Sequence, residues 1–329
     1  MSATRNLVMF SDHTDRWRLV EGDSLRLMAG LPDSCIDAVV TDPPYGIGFH
    51  GESWDGAGKA GHQLAGGAAF AAWTEAWAAE CLRVLKPGGY LLAFGSPKTF
   101  HRLTSGVEDA GLEGRDVLMW VYGQGTPKAR KLPGGLAAML RPAYEPILLA
   151  RKPLAGTTPR NVEEWGTGAL NTEASRVNGY WPSHLVLSHA PGCTTAGCTN
   201  NCPAGLLDAA RPDLRPSRMF YAAKASKRER EAGCDELPLR SDLLYSRPAV
   251  RLRRNIHPTV KPIVLMRYLV ELVTPPGGTV LDPFAGSAST GIATVMEHRK
   301  FLGVEQEARY TAIACARLTH WAREARDAS

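Results

Sequence analysis

The chain has 329 residues, of which 44% are hydrophobic and 22% are charged. This composition is typical of a globular protein with one large domain, or with one domain that carries an insertion. The sequence has no apolar run of membrane-spanning length, and its first residues lack the apolar core of a signal peptide, so we expect a cytoplasmic protein without a membrane partner. In that compartment its seven cysteines are expected to be thiols or metal ligands rather than disulfides.

The formal net charge of +5 is unevenly distributed along the chain. Residues 124–261 contain 21 Lys/Arg and 11 Asp/Glu, whereas the rest of the chain has more acidic than basic residues. A basic middle segment attached to an acidic body indicates a polyanionic partner. A solvated basic surface has the same composition, so charge alone leaves both interpretations open.

The first half of the chain alternates between apolar runs and helical patterns. The runs "CIDAVVTD", "GGYLLAFGS", "RDVLMWVYG" and "AYEPILLARK" are typical of buried strands. The segment "AAFAAWTEAWAAECLRVL" predicts a helix that Pro87 and Gly88 end, and "PKTFHRLTSGVEDAG" predicts a helix opened by Pro97 and closed near Gly111. Strands that alternate with helices indicate an α/β domain with a largely parallel sheet.

The pattern changes after this first half. Residues 153–255 are rich in Gly, Pro, Ser and Arg and have little periodicity, which indicates an irregular inserted domain. Regular structure returns with a helix that Pro262 opens and that ends before Pro275. The last segment, "TVLDPFAGSASTGIATVMEHRKFLGVEQEARY", predicts a strand, a glycine turn, a helix and a second strand that ends at Glu305.

The segment "TVLDPFAGSASTG" places an acid, an aromatic ring and small residues between a strand and a helix. Ligands of open α/β sheets bind at the carboxyl ends of strands, where Glu305 could accept both hydroxyls of a ribose. The segment lacks the phosphate-binding pattern G-x-x-x-x-G-K-[ST] and departs from the dinucleotide pattern G-x-G-x-x-G. A nucleoside without phosphates fits better, and S-adenosylmethionine is the obvious one. A tight turn without any ligand is the alternative.

Two motifs together carry a family resemblance. "TDPPYG" and "DPFAGSAST" resemble motifs of the amino-group DNA methyltransferases, which modify adenine N6 or cytosine N4. "NIHPTVKP", "LVEGDSLRLM" and "LKPGGYLLAFGS" also match family motifs, over Trp17–Arg151 and Asn255–Tyr310. The DPPY-type motif precedes the cofactor motif in this chain. This order of motifs is similar to that of the beta class of the amino-group DNA methyltransferases.

The resemblance implies a Rossmann-like methyltransferase fold with a circularly permuted motif order. It implies three parts: a catalytic part over residues 1–152, a target-recognition insertion over 153–255 and a cofactor-binding part over 256–329. It also implies base flipping and methyl transfer from S-adenosylmethionine to an exocyclic amine of double-stranded DNA. The aspartate form of the motif favours adenine N6 over the alternative, cytosine N4. Enzymes that methylate RNA or a protein amide, and a catalytically silent DNA-binding module, are further alternatives.

The motif Asp42-Pro43-Pro44-Tyr45 supplies the catalytic residues that the resemblance implies. The exocyclic amine is a poor nucleophile because its lone pair is delocalised into the ring. Acceptors on its N–H bonds, the Asp42 carboxylate and the Pro43 carbonyl, would favour the nucleophilic form, and Tyr45 would stack on the base. A simple strand-ending turn is the alternative for this motif.

A second set of residues would contact the cofactor by similarity to the family. In that set, Lys261 would face the carboxylate of the cofactor, and Asp23 would lie by its adenine. The full set is Asp23, Thr259, Lys261, Asp282, Phe284, Ala285, Gly286, Ser287 and Glu305. Many family members have glycine at the position of Ala288, and alanine tolerates this turn only if its φ angle is negative.

A cysteine-rich stretch in the middle segment has the spacing of a metal site. Its candidate ligands are His189, Cys193, Cys198 and Cys202, with Cys234 as a substitute for His189. Tetrahedral zinc would suit such a loop-rich segment, and three free thiols are the alternative. Cys35, Cys81 and Cys315 fall in apolar runs and are predicted core residues.

Basic residues of the middle segment are predicted phosphate contacts. They are Lys128, Arg130, Lys131, Arg218, Lys224, Lys227, Arg228, Arg251, Arg253 and Arg254, with Arg230 in the same run. A solvated basic face is the alternative for them. The apolar helix faces are explained by core packing and are also compatible with a homodimer. The sequence leaves open whether a cognate restriction nuclease acts with the protein.

Overall fold

A computed structural model describes residues 16–48, 53–55, 67–122, 132–137, 140, 142–176, 179, 181–188, 193, 198–200, 202–210, 224–241 and 252–327. The strands are β1 (Trp17–Glu21), β2 (Ile36–Thr41), β3 (Leu85–Phe94), β4 (Glu113–Val121), β5 (Tyr144–Arg151), β6 (Leu185–Leu187), β7 (Arg240–Ser241), β8 (Leu252–Arg253), β9 (Thr279–Asp282) and β10 (Lys300–Glu305). The helices are α1 (Ser24–Met28), α2 (Gly67–Val84), α3 (Phe100–Asp109), α4 (Thr158–Trp165), α5 (Pro203–Ala210), α6 (Lys227–Glu231), α7 (Ile263–Val273), α8 (Ser289–Met296) and α9 (Ala308–Asp327).

Eight of these strands form one sheet in the order β1-β10-β9-β2-β3-β5-β4-β6. Every neighbouring pair in the sheet is parallel except the two pairs that involve β5, which runs in the opposite direction. The predicted α/β fold with a largely parallel sheet is therefore confirmed. The reversed β5 has a consequence for the site, because its first residues lie at the edge where the parallel strands end.

The central strands are largely apolar, and both faces of the sheet are covered. In β3, Leu92 and Phe94 pack in one core cluster with residues of α7. Leu91 and Ala93 point to the opposite face and pack with residues of α2 and α3. Strands buried on both faces appear in the sequence as continuous apolar runs rather than as alternating patterns, as observed here.

Two predicted helix boundaries differ from the structure. Helix α2 ends at Val84, and Pro87 and Gly88 lie inside β3, where the pairing with β2 contains a bulge. The positive φ of Gly88, 76°, suits such an irregularity. Helix α3 begins at Phe100 rather than at Pro97, since the residues before it form a turn. No helix in the described part of the chain is long and apolar enough to cross a membrane.

The segment predicted to be an insertion, 153–255, contains short elements in its described parts. Strand β6 extends the main sheet by pairing in parallel with β4, and β7 and β8 form a separate two-stranded ribbon. Helix α4 contacts β3 through Asn161, whose side chain donates to the carbonyls of Pro87 and Thr167. The domain boundaries at 152 and 255 stay predictions.

The pairing of β2 with β9 positions the functional residues. Ala38 lies opposite Val280 and Val39 opposite Leu281, in a parallel register. Parallel strands that lie side by side end at the same edge of a sheet. The segment after β2 is therefore adjacent to the segment after β9, although more than 200 residues separate them in sequence.

The Asn161 contacts predict a measurable stability effect. Asn161→Ala removes the bonds to Pro87 and Thr167 and the bond that Asn161 Oδ1 accepts from the N–H of Ala155. Because the buried Asn161 side chain makes three hydrogen bonds and the buried Thr167 loses the donor to its carbonyl, we expect the free energy of unfolding to fall by about 2 kcal/mol in urea denaturation. Glu163→Ala, an exposed change on the same helix, should alter it by less than about 0.5 kcal/mol. Equal free energies of unfolding for the two variants would contradict the stabilising role of the Asn161 hydrogen bonds.

Candidate active site

The turn after β2 is held in place by one buried carboxylate. Asp55, from a single 3₁₀ turn at Ser53–Asp55, accepts hydrogen bonds from the backbone N–H groups of Tyr45 (2.6 Å), Gly46 (2.9 Å) and Ile47 (3.3 Å). Gly46 has a φ of 64°, and a Cβ atom there would lie 2.7 Å from the Phe70 ring. The sequence analysis did not identify Asp55, because no motif surrounds it.

The Tyr45 side chain is part of a hydrogen-bond network. Its hydroxyl group donates to Asp42 Oδ1 at 2.7 Å and lies 3.2 Å from Glu145 Oε2. The ring packs against the core cluster that includes α7. In this arrangement the hydroxyl group orients Asp42, and the predicted stacking of the ring on a base stays a prediction.

Lys261 joins this network from the segment before α7. Its Nζ atom lies 2.6 Å from Asp42 Oδ2 and 3.1 Å from Glu145 Oε2. The lysine is buried, with 6% of its surface exposed. Its ammonium group sits between two carboxylates, whereas the sequence analysis placed it at the carboxylate of a cofactor.

Glu145 was not found by the sequence analysis. It is the second residue of β5, and because β5 is antiparallel, this residue reaches the edge where β2 and β4 end. The only signal in the sequence is an acid at the start of an otherwise apolar strand. A strand-end acid of this kind is common on surfaces, so the pattern alone does not indicate a site.

The pKa values of the three charged groups follow from burial and pairing. Burial raises the pKa of Asp42 above its ordinary value, although the nearby Lys261 opposes this. Burial also favours a higher pKa for Glu145, but Lys261 and Lys224 lower it below its ordinary value. Burial disfavours charge on Lys261, yet the two carboxylates raise its pKa. The arrangement therefore favours Glu145 as the lasting anion and Asp42 as the stronger base.

The loop after β9 forms the second half of the site. Asp282 Oδ1 accepts hydrogen bonds from Thr41 Oγ1 (2.7 Å) and from the N–H of Phe284 (3.1 Å), and burial raises the pKa of Asp282 to about 6. Ala288 has a φ of 58°, so the expectation of a negative angle is wrong. Its N–H donates to the carbonyl of Ala285 at 2.7 Å, which keeps the tight turn despite a cost of about 1 kcal/mol for a residue with a Cβ atom.

Two further acids lie at strand ends beside this loop. Glu305 Oε2 accepts from the N–H of Gly286 at 2.8 Å, and Oε1 accepts from the N–H of Glu307 at 2.8 Å. Asp23 caps α1 by accepting from the N–H of Arg26 at 2.9 Å. Both carboxylates therefore have fixed orientations at the carboxyl ends of β1 and β10.

The two halves of the site open into one cavity. Asp42 and Pro44 line it together with residues of the loop after β9. The other predicted residues in its lining are Asp23, Thr259, Lys261, Asp282, Phe284, Ala285, Gly286, Ser287 and Glu305. Of the residues predicted for catalysis and for the cofactor, Pro43 and Tyr45 are therefore outside the lining. An aromatic wall is formed by Phe284, whose ring centroid lies 5.5 Å from that of Trp73 and 5.6 Å from that of Trp77.

The cavity has features that suit a nucleoside. His257 is half-buried in its wall, and desolvation lowers the pKa of its ring to about 3, so the ring is neutral at physiological pH. Among the described residues, its Nδ1 atom has no hydrogen-bond partner. A Cβ atom on Gly286 would lie 2.6 Å from His257 Nε2, so only glycine fits between this ring and the cavity. The cavity thus combines aromatic rings, two oriented carboxylates and a glycine at its wall. These features suit the aromatic base and the hydroxyl groups of an uncharged adenosine group.

Three of the four predicted metal ligands are close together. The sulfur atoms of Cys193, Cys198 and Cys202 lie within 4.8 Å of one another, and His189 is outside the described residues. Cys234, the alternative fourth ligand, is instead buried in an apolar cluster with Tyr310 and Ile313. The donor set of three thiols fits zinc.

The predicted phosphate contacts fall into three groups. Lys128, Arg130, Lys131, Arg218 and Arg251 are outside the described residues. Lys227 and Arg228 are exposed on α6, and Arg253 lies in β8. Lys224 and Arg254 make internal contacts: Lys224 Nζ lies 3.6 Å from the centroid of the Tyr122 ring, and Arg254 donates to the carbonyl of Leu237 at 2.7 Å.

Helix α6 also contacts the segment before α7. Arg230 donates to the carbonyl of His257 at 2.8 Å, and Glu229 accepts from the N–H of Ile263 at 2.7 Å. Arg230 was predicted to contact phosphate, and in the structure its guanidinium group supports the wall of the cavity. Part of the run "SKRERE" therefore packs against the rest of the protein, so the run is not entirely a solvated basic face.

A family model described as DNA methylase, N6_N4_Mtase, matches residues 36–316. The chain belongs to this DNA methylase family. Similar proteins include the Type II methyltransferase M.HindIII of Haemophilus influenzae, which is 24% identical with 91% of this chain and 94% of the relative aligned. DNA adenine methyltransferase YhdJ of Escherichia coli is 25% identical, with 91% and 82% aligned.

Solved structures of DNA methylases share the fold. The cytosine-N4-specific PvuII DNA methyltransferase matches with a TM-score of 0.61 and 16% identity, covering 96% of this chain and 94% of that chain. The Thermus thermophilus protein TTHA0409, described as a DNA modification methylase, matches at 0.51 with 22% identity, covering 93% and 95%. Its complex with S-adenosyl-L-methionine matches at 0.50 with 23% identity, covering 93% and 95%. The predicted family and methyltransferase fold are thus confirmed for this DNA methylase.

The contacts of Asp55 predict how strongly the turn after β2 depends on it. Asp55→Ala leaves the N–H groups of Tyr45, Gly46 and Ile47 without their carboxylate acceptor. We expect the free energy of unfolding to fall by about 2 kcal/mol and DNA methylation at a permissive temperature to fall at least tenfold, because the turn is no longer fixed. Urea denaturation and a methyl-transfer assay measure both. Asp109→Ala, an exposed change at the end of α3, is the control; matching losses in the two variants would contradict the role of Asp55.

Proposed function

We propose that this DNA methylase transfers a methyl group from S-adenosylmethionine to adenine N6 in double-stranded DNA, with the target base flipped out of the helix. One observation carries the proposal: Asp42 and Pro44 line the same cavity as Asp282, Phe284 and Glu305. A single cavity with a catalytic acid on one side and a nucleoside-binding loop on the other suits direct transfer between two bound molecules.

The cofactor would be held by the residues at the ends of β1, β9 and β10. Glu305 and Asp23 offer carboxylates to hydroxyl and amino groups, and Phe284 offers an aromatic face. Gly286 has no Cβ atom, so the neutral ring of His257 can pack against this loop. When bound, S-adenosylmethionine supplies an electrophilic methyl group on a sulfonium.

The residues of the catalytic turn would act on the target amine. Asp42, which lines the cavity, accepts one N–H of the amine. The Pro43 carbonyl is the second acceptor that the resemblance implies, although Pro43 lies outside the lining of the cavity. Both bonds favour the pyramidal amine with an available lone pair. Asp42 then takes up the proton that the amine loses, a role that its raised pKa favours.

Adenine N6 is the proposed target because the motif has aspartate at position 42 rather than serine. The relative YhdJ is named a DNA adenine methyltransferase, which supports this choice at 25% identity. Cytosine N4 is the second candidate, since both exocyclic amines need the same acceptors. The similarity to the cytosine-specific PvuII enzyme, at 16% identity, concerns the fold alone.

The basic middle segment is proposed to contact the DNA backbone. Lys227 and Arg228 on α6 and Arg253 in β8 are its described candidates, and the basic residues at 128–131, 218 and 251 complete the set. The relative M.HindIII is a Type II methyltransferase, which supports a role in restriction and modification together with a nuclease. A homodimer stays a further prediction from the apolar helix faces.

We also propose a structural zinc ion bound by Cys193, Cys198 and Cys202. The three sulfur atoms already converge within 4.8 Å, and tetrahedral zinc takes four ligands, for which His189 is the predicted fourth. The surrounding stretch has few apolar side chains of its own. A metal would therefore fix it in the way that a hydrophobic core fixes a larger segment.

A label-transfer assay tests the proposed reaction. Protein with radiolabelled S-adenosylmethionine should label duplex DNA, and nucleoside digestion should place the label in N6-methyladenine. Asp42→Ala should reduce the rate by at least a hundredfold, because it removes both the acceptor and the base. Asp33→Ala, which changes an exposed acid outside the lining of the cavity, should retain the rate. Label in N4-methylcytosine would support the second candidate, and a fully active Asp42→Ala would refute the mechanism.

Metal analysis of the purified protein tests the zinc proposal. We expect about one zinc ion per chain, lost in Cys198→Ser because one of the converging ligands is removed. Cys35→Ser is the matched control, since Cys35 packs beside an apolar core cluster and should leave the zinc content unchanged. Protein purified without chelators that contains no metal would end this proposal.

A further inference from the structure

Glu145 lies outside every motif of the sequence, yet it is in the centre of the charged network. Its Oε2 atom is 3.1 Å from Lys261 Nζ and 3.2 Å from the Tyr45 hydroxyl oxygen. Only 18% of the Glu145 side chain is exposed, compared with 7% for Lys261 and 17% for Asp42. Two carboxylates in this partly buried network therefore share one ammonium group.

We propose that Glu145 is a positioning residue for methyl transfer: it holds the Lys261 ammonium group as a lasting counterion, which leaves Asp42 free to bind and then deprotonate the target amine. This inference rests on the proposed function and assigns a role to a residue that the family motifs do not include. Glu145 acts through Lys261 and Asp42 and does not need to touch the substrate.

The proton balance of the reaction explains why a second carboxylate is useful. The amine nitrogen forms a bond to the methyl carbon while the carbon–sulfur bond breaks, and the bonding pair stays on sulfur. The nitrogen then carries a positive charge and loses one proton to Asp42, which becomes neutral. At that moment Lys261 would be a buried cation without a partner if Asp42 were its only anion. Glu145 keeps it paired.

The charged groups around the network determine the direction of the effect. Asp42 faces Lys261, Glu145 and the Tyr45 hydroxyl group, with Asp282 nearby at the end of β9. Glu145 faces Lys261, Tyr45, Tyr122 and Lys224. Removing the charge of Glu145 takes away a repulsion that raises the pKa of Asp42. Asp42 is then the one carboxylate of the network that pairs with the Lys261 ammonium group, and this stronger pairing lowers the pKa of Asp42 further.

A purely structural role predicts a different result. If Glu145 only anchored the start of β5, its replacement would lower the stability of the protein without a specific change at Asp42. The titration of Asp42 is therefore the decisive readout. It can be measured in the protein without cofactor or DNA, so it does not depend on the proposed function.

The experiment compares wild-type protein with Glu145→Gln. Protein with 13C-labelled aspartate carboxyl groups is titrated by NMR, and Asp42→Asn identifies the Asp42 signal. We expect the Asp42 signal in Glu145→Gln to titrate at lower pH than in wild type. In the methyl-transfer assay, kcat should fall roughly 10- to 100-fold, and the acidic limb of its pH profile should move to lower pH, because a weaker base is protonated at lower pH.

Two further variants complete the test. Glu145→Asp keeps the charge but moves it away from Lys261 by the length of one methylene group. The Asp42 signal in this variant should therefore titrate at a pH between the values for wild type and Glu145→Gln. This variant decides the question if Glu145→Gln does not fold. Glu113→Gln removes an acid paired with Arg151 at the other end of β5, and it should leave the Asp42 signal unchanged. An unchanged or higher titration of Asp42 in both Glu145 variants would overturn the inference. Absence of methyl transfer by wild type would refute the proposed function, while the NMR result would still decide the role of Glu145.

Discussion

The parallel pairing of β2 with β9 is the constraint on which the site depends. Asp37 Oδ2 accepts from the N–H of Thr279 at 2.7 Å where the two strands begin, and Thr41 Oγ1 donates to Asp282 Oδ1 at 2.7 Å where they end. These buried bonds fix the register at both ends of a short strand pair. As a result, the turn after β2 and the loop after β9 start side by side and line the same cavity.

The second principle of the site is the balance of buried charge. Lys261 is attracted by two acids, and the Tyr45 hydroxyl group contacts both of these acids. Isolated charges would be strongly disfavoured in this environment, whereas a network with hydrogen bonds tolerates them. The same burial that makes the network costly also raises the pKa of Asp42, which is the direction that its proposed role as a base requires.

Much of the fold and the core of the site could be predicted from the sequence. The motifs at 42–45 and 282–287 follow buried apolar strands, and both the strand pattern and the turn chemistry are local signals. Glu145 and Asp55 could not be predicted in this way. Glu145 reaches the site only because β5 is antiparallel, and Asp55 acts across a turn ten residues from Tyr45 with no periodic pattern between them. Tertiary contacts, rather than local propensity, select both residues.

The direct test of the central claim is a crystal structure of the protein with S-adenosylmethionine. We expect the cofactor to lie in the cavity between Glu305 and Asp42, against the Phe284 ring, with space for a base beside Asp42. A cofactor bound at another surface would contradict the account. The same holds for a structure in which the segments after β2 and β9 open onto different sides of the sheet.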